Sequence, residues 1–238
     1  MHIEFGTPPL LTGKENNLDE RKKVTTIAIL PLSKDHIASL KKVANEGVNG
    51  PNMYNPYTRY EVVAAHIWRS ACKEREQYLE QPTCLGFSVD VRNRLHPPLP
   101  PKYLGNAILD VVASSRSGNI VTLPLGCTCA RIREEIEKID DRYIWSNVNF
   151  WKNMYDLTPF QDLHARTSKD DPFYGNPNIG VISWLKLPIY EPDFGWGKEI
   201  YVGPGTHDSD GDCLLLPRPD GSAKVAICLQ LAHTDAFF

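Results

Sequence analysis

Strand-like and helix-like segments alternate along this chain, and their order limits the folds it can adopt. Runs of β-branched and apolar residues predict strands at 24–30, 85–91, 107–114, 181–187, 212–216 and 223–231. Amphipathic spacing predicts helices at 33–43, 60–75 and 130–150. Pro219, Asp220, Gly221 and Ser222 between the last two strands predict a hairpin turn. No Gly-x-Gly-x-x-Gly or P-loop motif is present, so we expect an α/β fold with a mixed sheet and flanking helices (α+β).

Charge and hydropathy exclude several classes of partner. The 26 basic and 29 acidic residues give a net charge of -3, too small a field to gather nucleic acid or an anionic membrane. The sequence starts without a signal-peptide pattern and contains no apolar run of 18 residues. We therefore expect a cytoplasmic protein with no nucleic-acid or membrane partner.

Two compositional features bear on domain organisation and on metal binding. Residues 1–23 are polar, contain proline and lack an apolar period, which indicates a linker before one domain at 24–238. The six cysteines form no C-x-x-C pair and lie at no zinc-site spacing from histidines. We expect reduced, buried thiols and no metal site.

An Asp-Phe-Gly-Trp-Gly run at 193–197 is the most distinctive motif. Two glycines around one tryptophan allow the backbone to turn where a side chain would clash, and the Asp193 carboxylate can fix that turn. A purely structural loop is the alternative to a functional one.

Four further stretches accompany this motif: YEVVAAHIWR at 60–69, VDVRNRL at 89–95, PPLPP at 97–101 and ISW at 182–184. Together with residues 193–197, they make the chain from about residue 25 to 237 resemble the BAHD acyltransferases. Those enzymes transfer an acyl group from coenzyme A to an alcohol or amine and are about twice this length. The resemblance implies a chloramphenicol-acetyltransferase-like lobe at 24–238, a C-terminal half preceded by an interdomain crossover at 1–23, and a monomeric full-length enzyme.

The same resemblance implies that acyl-CoA is a co-substrate and that no cofactor is permanently bound. It assigns the coenzyme to three groups of residues: Thr58, Arg59, Tyr60 and Glu61; Ser88, Asp90, Arg92, Asn93 and Arg94; Ser183 and Trp184. Arginines suit phosphate groups, the Ser183 hydroxyl could donate to a pantetheine carbonyl, and Trp184 could pack on the tetrahedral intermediate or the acyl ring. Solvated surface arginines, and a Trp184 that only packs in the core, are the alternatives.

Asp193 has two possible roles. The resemblance pairs it with Arg92, an ion pair that would fix the architecture of the site, although such aspartates are sometimes labelled catalytic. We favour the structural role.

The family's general base is a histidine in H-x-x-x-D. None of the seven histidines is followed by aspartate four residues later. Loss of a general base costs about 10²–10⁴-fold in rate, so the isolated chain is expected to be inactive.

Four positions bear on the acceptor. Lys169 stands where shikimate- and quinate-using members have an arginine, Asp170 and Asp171 follow it, and Ile182 replaces a threonine. Acidic residues weaken a carboxylate site and suit a polyamine cation, so the pattern favours a spermidine-like amine over a shikimate-like alcohol. A solvated acidic loop is the alternative.

Three functions remain open at this point. The first is a truncated hydroxycinnamoyl-CoA-dependent transferase. The second is a non-catalytic fragment that binds CoA thioesters or a full-length paralogue through an exposed apolar surface. The third, with the least support, is an independent enzyme using His207 with Asp208 or Asp210.

Overall fold

Strands and helices form one mixed sheet with a helical layer in the computed structural model, which describes residues 23–46, 55–155, 175–197, 199–205 and 209–234. The strands are β1 (Thr25–Leu32), β2 (Pro82–Asp90), β3 (Ile108–Arg116), β4 (Ile179–Ser183), β5 (Asp212–Pro217) and β6 (Ala223–Gln230). The helices are α1 (Lys34–Asn45), α2 (Arg59–Glu74), α3 (Ser117–Thr122), α4 (Leu125–Glu137) and α5 (Asp141–Asn153), followed late in the chain by a 3₁₀ turn, Leu231–His233.

The strand order, β1-β6-β5-β4-β2-β3, places four parallel strands in one sheet. β6 is antiparallel to both β1 and β5, whereas β4 is parallel to both β5 and β2. Strands β1, β5, β4 and β2 therefore run in one direction and end at Leu32, Pro217, Ser183 and Asp90. We call the side of the sheet where they end the carboxyl edge.

The two faces of the sheet are buried to different extents. Ile179 and Val181 of β4 join the main core, where α2 packs against α1, α3 and α4. Ile182 and Trp184, which alternate with them, join a small second cluster around Leu214. This is the period-two alternation of a strand whose two faces both contact apolar residues.

Most predicted elements are confirmed, including the mixed sheet, the first two helices and the hairpin at 219–222. The prediction of a single helix at 130–150 is wrong, because residues 138–140 separate α4 from α5. Asp140 begins α5 by accepting a hydrogen bond from the Tyr143 amide at 2.7 Å. The strand predicted at 181–187 lies at Ile179–Ser183 instead, and α3 was not predicted.

The predicted linker and the predicted lack of a membrane span can be examined only within the described residues. The linker at 1–23 lies outside them except for its last residue. Across the described part of the chain, every helix is too short or too polar to cross a membrane.

A buried ion pair joins α2 to α4. Arg133 donates from Nε and Nη2 to the two carboxylate oxygens of Glu61, each at 2.8 Å. The same guanidinium donates to the carbonyls of Asn55 and Pro56 and lies 4.4 Å from the centre of the Tyr57 ring. Burial opposes ionisation of Glu61, but the bonds from Arg133 and Thr58 outweigh it and lower the pKa of the carboxyl group.

Arg133→Met is expected to lower the free energy of unfolding by about 3–5 kcal/mol, because it leaves the Glu61 carboxylate buried without its partner. Arg131→Met is the matched control in the same helix, since the Arg131 side chain is 42% exposed where it pairs with Glu134 and Glu135 and donates to the Ser114 carbonyl. The control is expected to cost less than about 1 kcal/mol in urea denaturation.

Equal losses for the two variants would contradict the buried pair. If Arg133→Met does not fold, the double variant Glu61→Leu/Arg133→Met is expected to recover part of the stability, because it removes both charges.

Candidate functional site

Two helices begin at the carboxyl edge, where the helix dipole gives their first turns positive partial charge. Ser33 caps α1, and its hydroxyl accepts a hydrogen bond from the His36 amide at 3.1 Å. Thr58 caps α2 in a capping box with Glu61, in which the Thr58 amide donates to Glu61 Oε2 at 2.6 Å. The edge is therefore suited to an anion.

Arg59 connects three segments of this edge. Its Nη1 donates to the carbonyl of Gly221 and its Nη2 to that of Leu185, each at 3.3 Å. These bonds join the start of α2 to the β5–β6 turn and to the chain after β4. A guanidinium has five N–H donors, so Arg59 keeps further donors for a ligand.

Two more cations surround the β5–β6 turn, and with Arg59 they form what we call the basic cluster: Lys34, Arg59 and Arg218. A Cβ at Gly221 would lie 2.9 Å from Cε of Lys34, so the lysine lies directly over the turn. The Ser222 hydroxyl and amide lower the pKa of Asp220, and the nearby charges of Arg218 and Lys34 lower it further.

Sequence reasoning missed Lys34 and Arg218. They are 184 positions apart (218 − 34), and only the strand order, which places β1 beside β6, brings them together. One local signal could have indicated Lys34: the predicted helix starts directly after the first predicted strand, which places Lys34 near the end of that strand.

The predicted residues at the end of β4 lie at the same edge. Ser183 is exposed, and its hydroxyl accepts from the Leu185 amide at 3.4 Å. Trp184 and Ile182 are half-buried and pack against Leu214 and Leu216 on the second face of the sheet.

Tyr60 and Glu61 point into the protein, unlike Thr58 and Arg59. The Tyr60 hydroxyl donates to the Val181 carbonyl at 3.0 Å. Glu61 is 3% exposed and is held by Arg133 and the capping box. The Glu61 carboxylate is thus already hydrogen-bonded inside the core, and its contact with the coenzyme stays a prediction.

The residues at the end of β2 have local partners. Ser88 donates to Asp110 at 2.8 Å, and Asn93 is exposed. Arg94 donates to the carbonyls of Ile136 and Ile139 at 2.8 and 2.9 Å, where it neutralises the C-terminal end of α4. Arg94 is thus used to end a helix.

The hypothesised ion pair between Asp193 and Arg92 is not formed. Arg92 donates to Asp90 at 3.1 Å and to the Gly105 carbonyl at 2.9 Å. Asp193 accepts from the amides of Gly195 and Gly197 at 2.7 and 3.3 Å. Asp193 therefore fixes its own turn, as the two glycines of the motif indicated.

Several predicted residues fall outside the described part of the chain: Lys169, Asp170, Asp171, His207 and Asp208. Asp210 is described and forms an ion pair of 3.0 Å with Arg75, both side chains being largely buried. It also accepts from the amides of Asn176 and Gln230. An Asp210 held in this way leaves the hypothesis of an independent His207 enzyme without its second carboxylate.

The burial of most cysteines argues against a reactive thiol nucleophile. Five cysteines are buried, as predicted, whereas Cys127 is exposed. Burial raises the pKa of Cys129 to about 12 and that of Cys213 still further, so neither thiol ionises readily near neutral pH. No group of three potential metal ligands occurs among the described residues.

Comparison with solved structures defines the class of fold. The chain superposes on F. sporotrichioides TRI101, solved with coenzyme A and T-2, with a TM-score of 0.76 at 22% identity, covering 95% of this chain and 52% of that one. It superposes on vinorine synthase with a TM-score of 0.64 at 18% identity, covering 90% and 46%. The chain thus shares the fold of about half of each of these two proteins.

Sequence comparison gives the family. Residues 2–237 match the Transferase family. The chain is 43% identical to hydroxycinnamoyl-CoA:piscidic acid hydroxycinnamoyltransferase of Actaea racemosa, over 99% of this chain and 54% of that protein. It is 35% identical to shikimate O-hydroxycinnamoyltransferase of Nicotiana tabacum, over 99% and 53%. The chain belongs to the Transferase family of BAHD acyltransferases and spans about half the length of these relatives.

A double-mutant cycle can test the partners assigned to Arg92. Asp193→Asn and Arg92→Met are expected to be additive in urea denaturation, to within about 0.5 kcal/mol, because they share no contact. The matched cycle of Asp90→Asn with Arg92→Met is expected to show a coupling of about 0.2–1 kcal/mol. A coupling larger for Asp193 than for Asp90 would contradict the described geometry.

Proposed function

We propose that this chain forms the coenzyme-binding lobe of an acyl-CoA-dependent hydroxycinnamoyltransferase. The reaction moves a hydroxycinnamoyl group from its CoA thioester to an amine or a hydroxyl group. The observation that carries the proposal is the basic cluster at the carboxyl edge, in a chain whose relatives are named for hydroxycinnamoyl-CoA.

The charge at this edge fits the phosphates of coenzyme A. Lys34, Arg59 and Arg218 lie around one turn, and two helix N-termini add their partial charges. The Asp220 carboxylate oxygen Oδ1 lies 4.0 Å from Nε of Arg218 and offsets part of that positive charge. Arginine and lysine side chains near helix N-termini are the usual protein groups for binding phosphate.

The remaining predicted contacts extend this site along the edge. Ser183 is exposed at the end of β4, next to the Leu185 segment that Arg59 holds. In our proposal its hydroxyl donates to a carbonyl of the pantetheine arm, and the edge of Trp184 lies beside the acyl group. Thr58, Ser88, Asp90, Arg92 and Asn93 remain proposed contacts of the coenzyme.

The proton transfer of the reaction requires a base that these residues do not supply. A base must take the proton of the acceptor as the thioester carbonyl is attacked. No histidine of the chain stands in an H-x-x-x-D motif. We propose that the base belongs to the half of the family's length that this chain does not span.

We propose an amine of the spermidine class as the acceptor, on the basis of Lys169, Asp170, Asp171 and Ile182. Hydroxylated acids are the second candidate, since two of the relatives are named for piscidic acid and shikimate. A relative from Avena sativa, 33% identical, is named for N-acylation of 5-hydroxyanthranilate, so the family includes amine acceptors.

A second candidate function follows from the absence of the H-x-x-x-D motif. A chain with the basic cluster and no base would bind CoA thioesters without turning them over. Such a protein would act through binding, or through association with a full-length paralogue.

Coenzyme A binding tests the site directly. Lys34→Met is expected to weaken binding of CoA about tenfold in calorimetric titration, which corresponds to one charge-assisted contact. Lys42→Met is the matched control, because Lys42 is exposed in the last turn of the same helix. Asp220→Asn is expected to have the opposite effect and to tighten binding, since it removes a negative charge beside the cluster and keeps an acceptor for Ser222.

Equal affinities for Lys34→Met, Lys42→Met and the parent chain would contradict the assignment of the phosphates to this edge. The difference between parent and Lys34→Met is expected to shrink as salt is raised, because the contact is electrostatic.

The purified 238-residue chain is expected to bind p-coumaroyl-CoA without transferring its acyl group to spermidine or shikimate, because the base is missing. Release of CoA with formation of an amide or ester, followed by chromatography, would contradict this expectation. Lys34→Met serves as the control for any background hydrolysis at the same site.

A further inference from the structure

One ammonium group and one carboxylate lie at opposite ends of the apolar cluster on the second face of the sheet. The cluster consists of Leu214, Leu216 and Ala226, onto which Ile182, Trp184 and Ile189 pack. Side chains two residues apart on a strand share a face. Asp212 of β5 therefore lies on the same face as Leu214, and Lys224 of β6 lies on the same face as Ala226. Both charged residues are half-buried.

Lys224 lies at the carboxyl-edge end of the cluster. It is the register partner of Leu216 on β5. The row continues to Trp184, whose amide donates to the carbonyl of Leu215 at 2.9 Å. The Lys224 ammonium lies 4.8 Å from the centre of the Tyr201 ring. A cation over an aromatic ring is held in place while it keeps N–H donors, so this end of the cluster suits an anionic group.

Asp212 lies at the opposite end of the cluster. It is the parallel register partner of Gly180 on β4, four residues before Trp184. A strand rises about 3.3 Å per residue, so Gly180 and Trp184 lie about 13 Å apart along the chain. Because Gly180 has no side chain, β4 places none against the Asp212 carboxylate at this level of the sheet. This end of the cluster therefore suits a cationic group.

We propose that Asp212 is a specificity-determining residue for the acceptor: its carboxylate binds an ammonium group of a polyamine whose reacting nitrogen lies beside Trp184. The inference rests on the proposed function, in which Trp184 lies beside the acyl group. The distance from Trp184 to the level of Asp212 is comparable to the length of an extended spermidine molecule. The apolar cluster between them suits the methylene groups of that chain and the aromatic acyl group.

The proposed contact does not require the Asp212 carboxylate to be unoccupied. Asp212 has other interactions within the chain, and an ionised carboxylate has about four acceptor positions, so an ammonium can be added to them. Two opposite charges separated by an apolar cluster also fix the direction of a bound polyamine, because its cationic end is repelled by Lys224 and attracted by Asp212.

Spermidine binding tests the proposal. Calorimetric titration of spermidine into the 238-residue chain is expected to show binding that Asp212→Asn weakens about fivefold or more, since the substitution removes one charge-assisted contact and keeps the shape of the side chain. Asp212→Glu keeps the charge and is expected to retain most of the affinity. Titration of CoA is expected to give the same affinity for both variants and the parent chain.

Asp110→Asn is the matched control, because it removes the same charge from the same face of the sheet. Asp110 is the register partner of Ser88 in the edge strand β3, three strands away from β5. This variant is expected to bind spermidine as the parent chain does.

A second measurement uses the unsubstituted chain and so does not depend on the folding of any variant. On addition of spermidine, the backbone amide signals of Asp212 and Cys213 are expected to shift in nuclear magnetic resonance spectra, whereas the signal of Asp110 is expected to stay in place.

Three results would overturn the proposal: equal spermidine affinities for Asp212→Asn and the parent chain; no binding of spermidine and no shift at Asp212; or a preference for shikimate that Lys224→Met weakens, which would assign an anionic acceptor to the other end of the cluster. Titration of CoA separates this proposal from the preceding one. Lys34-dependent CoA binding with spermidine binding that ignores Asp212 removes only the acceptor contact. Asp212-dependent spermidine binding in a chain that does not bind CoA removes only the proposed coenzyme site.

Discussion

The ion pair between Glu61 and Arg133 is the contact on which the geometry of the carboxyl edge depends. One carboxylate binds the guanidinium of α4 and closes the capping box of α2. It therefore fixes where α2 begins and how α2 lies against α4. Arg59 is the first residue of that helix, so the same pair determines where a cation of the proposed phosphate site stands. The stability of the core and the position of the site are thus linked through one residue.

The fold could be predicted from sequence where a local pattern determines the structure. The strand at the β-branched run 24–30 and the turn at 219–222 follow from residues close together in the chain. The Thr58 capping box is equally local, although the sequence analysis assigned Thr58 and Glu61 to the coenzyme instead. The helix break at Asp140 was missed because the apolar period continues across it, and only the Asp140 cap, which accepts from the Tyr143 amide, shows that a new helix begins. At Asp140 the apolar spacing favours one continuous helix, whereas the capping side chain favours the start of a new one, and the cap prevails.

The partners of charged residues could not be predicted, because they depend on packing between distant segments. Glu61 was expected at the coenzyme, yet it is satisfied by an arginine 72 residues away. Arg94 was expected at phosphate, yet it lies at the end of a helix whose position the sequence did not reveal. Lys34 and Arg218 were missed for the opposite reason, since neither belongs to a motif and only the order of the strands brings them together.

The two faces of the sheet differ in how much apolar surface packs against them in the described residues. The first face packs against the helical layer of α1, α2 and α4 and contains most of the core of the described residues. Among the described residues, the second face carries a smaller cluster, onto which Ile182, Trp184 and Ile189 pack, and Ile29 of the edge strand β1 is 49% exposed. Burial of apolar surface contributes about 25 cal/mol per Å², so the first face supplies most of the hydrophobic stabilisation of the described residues.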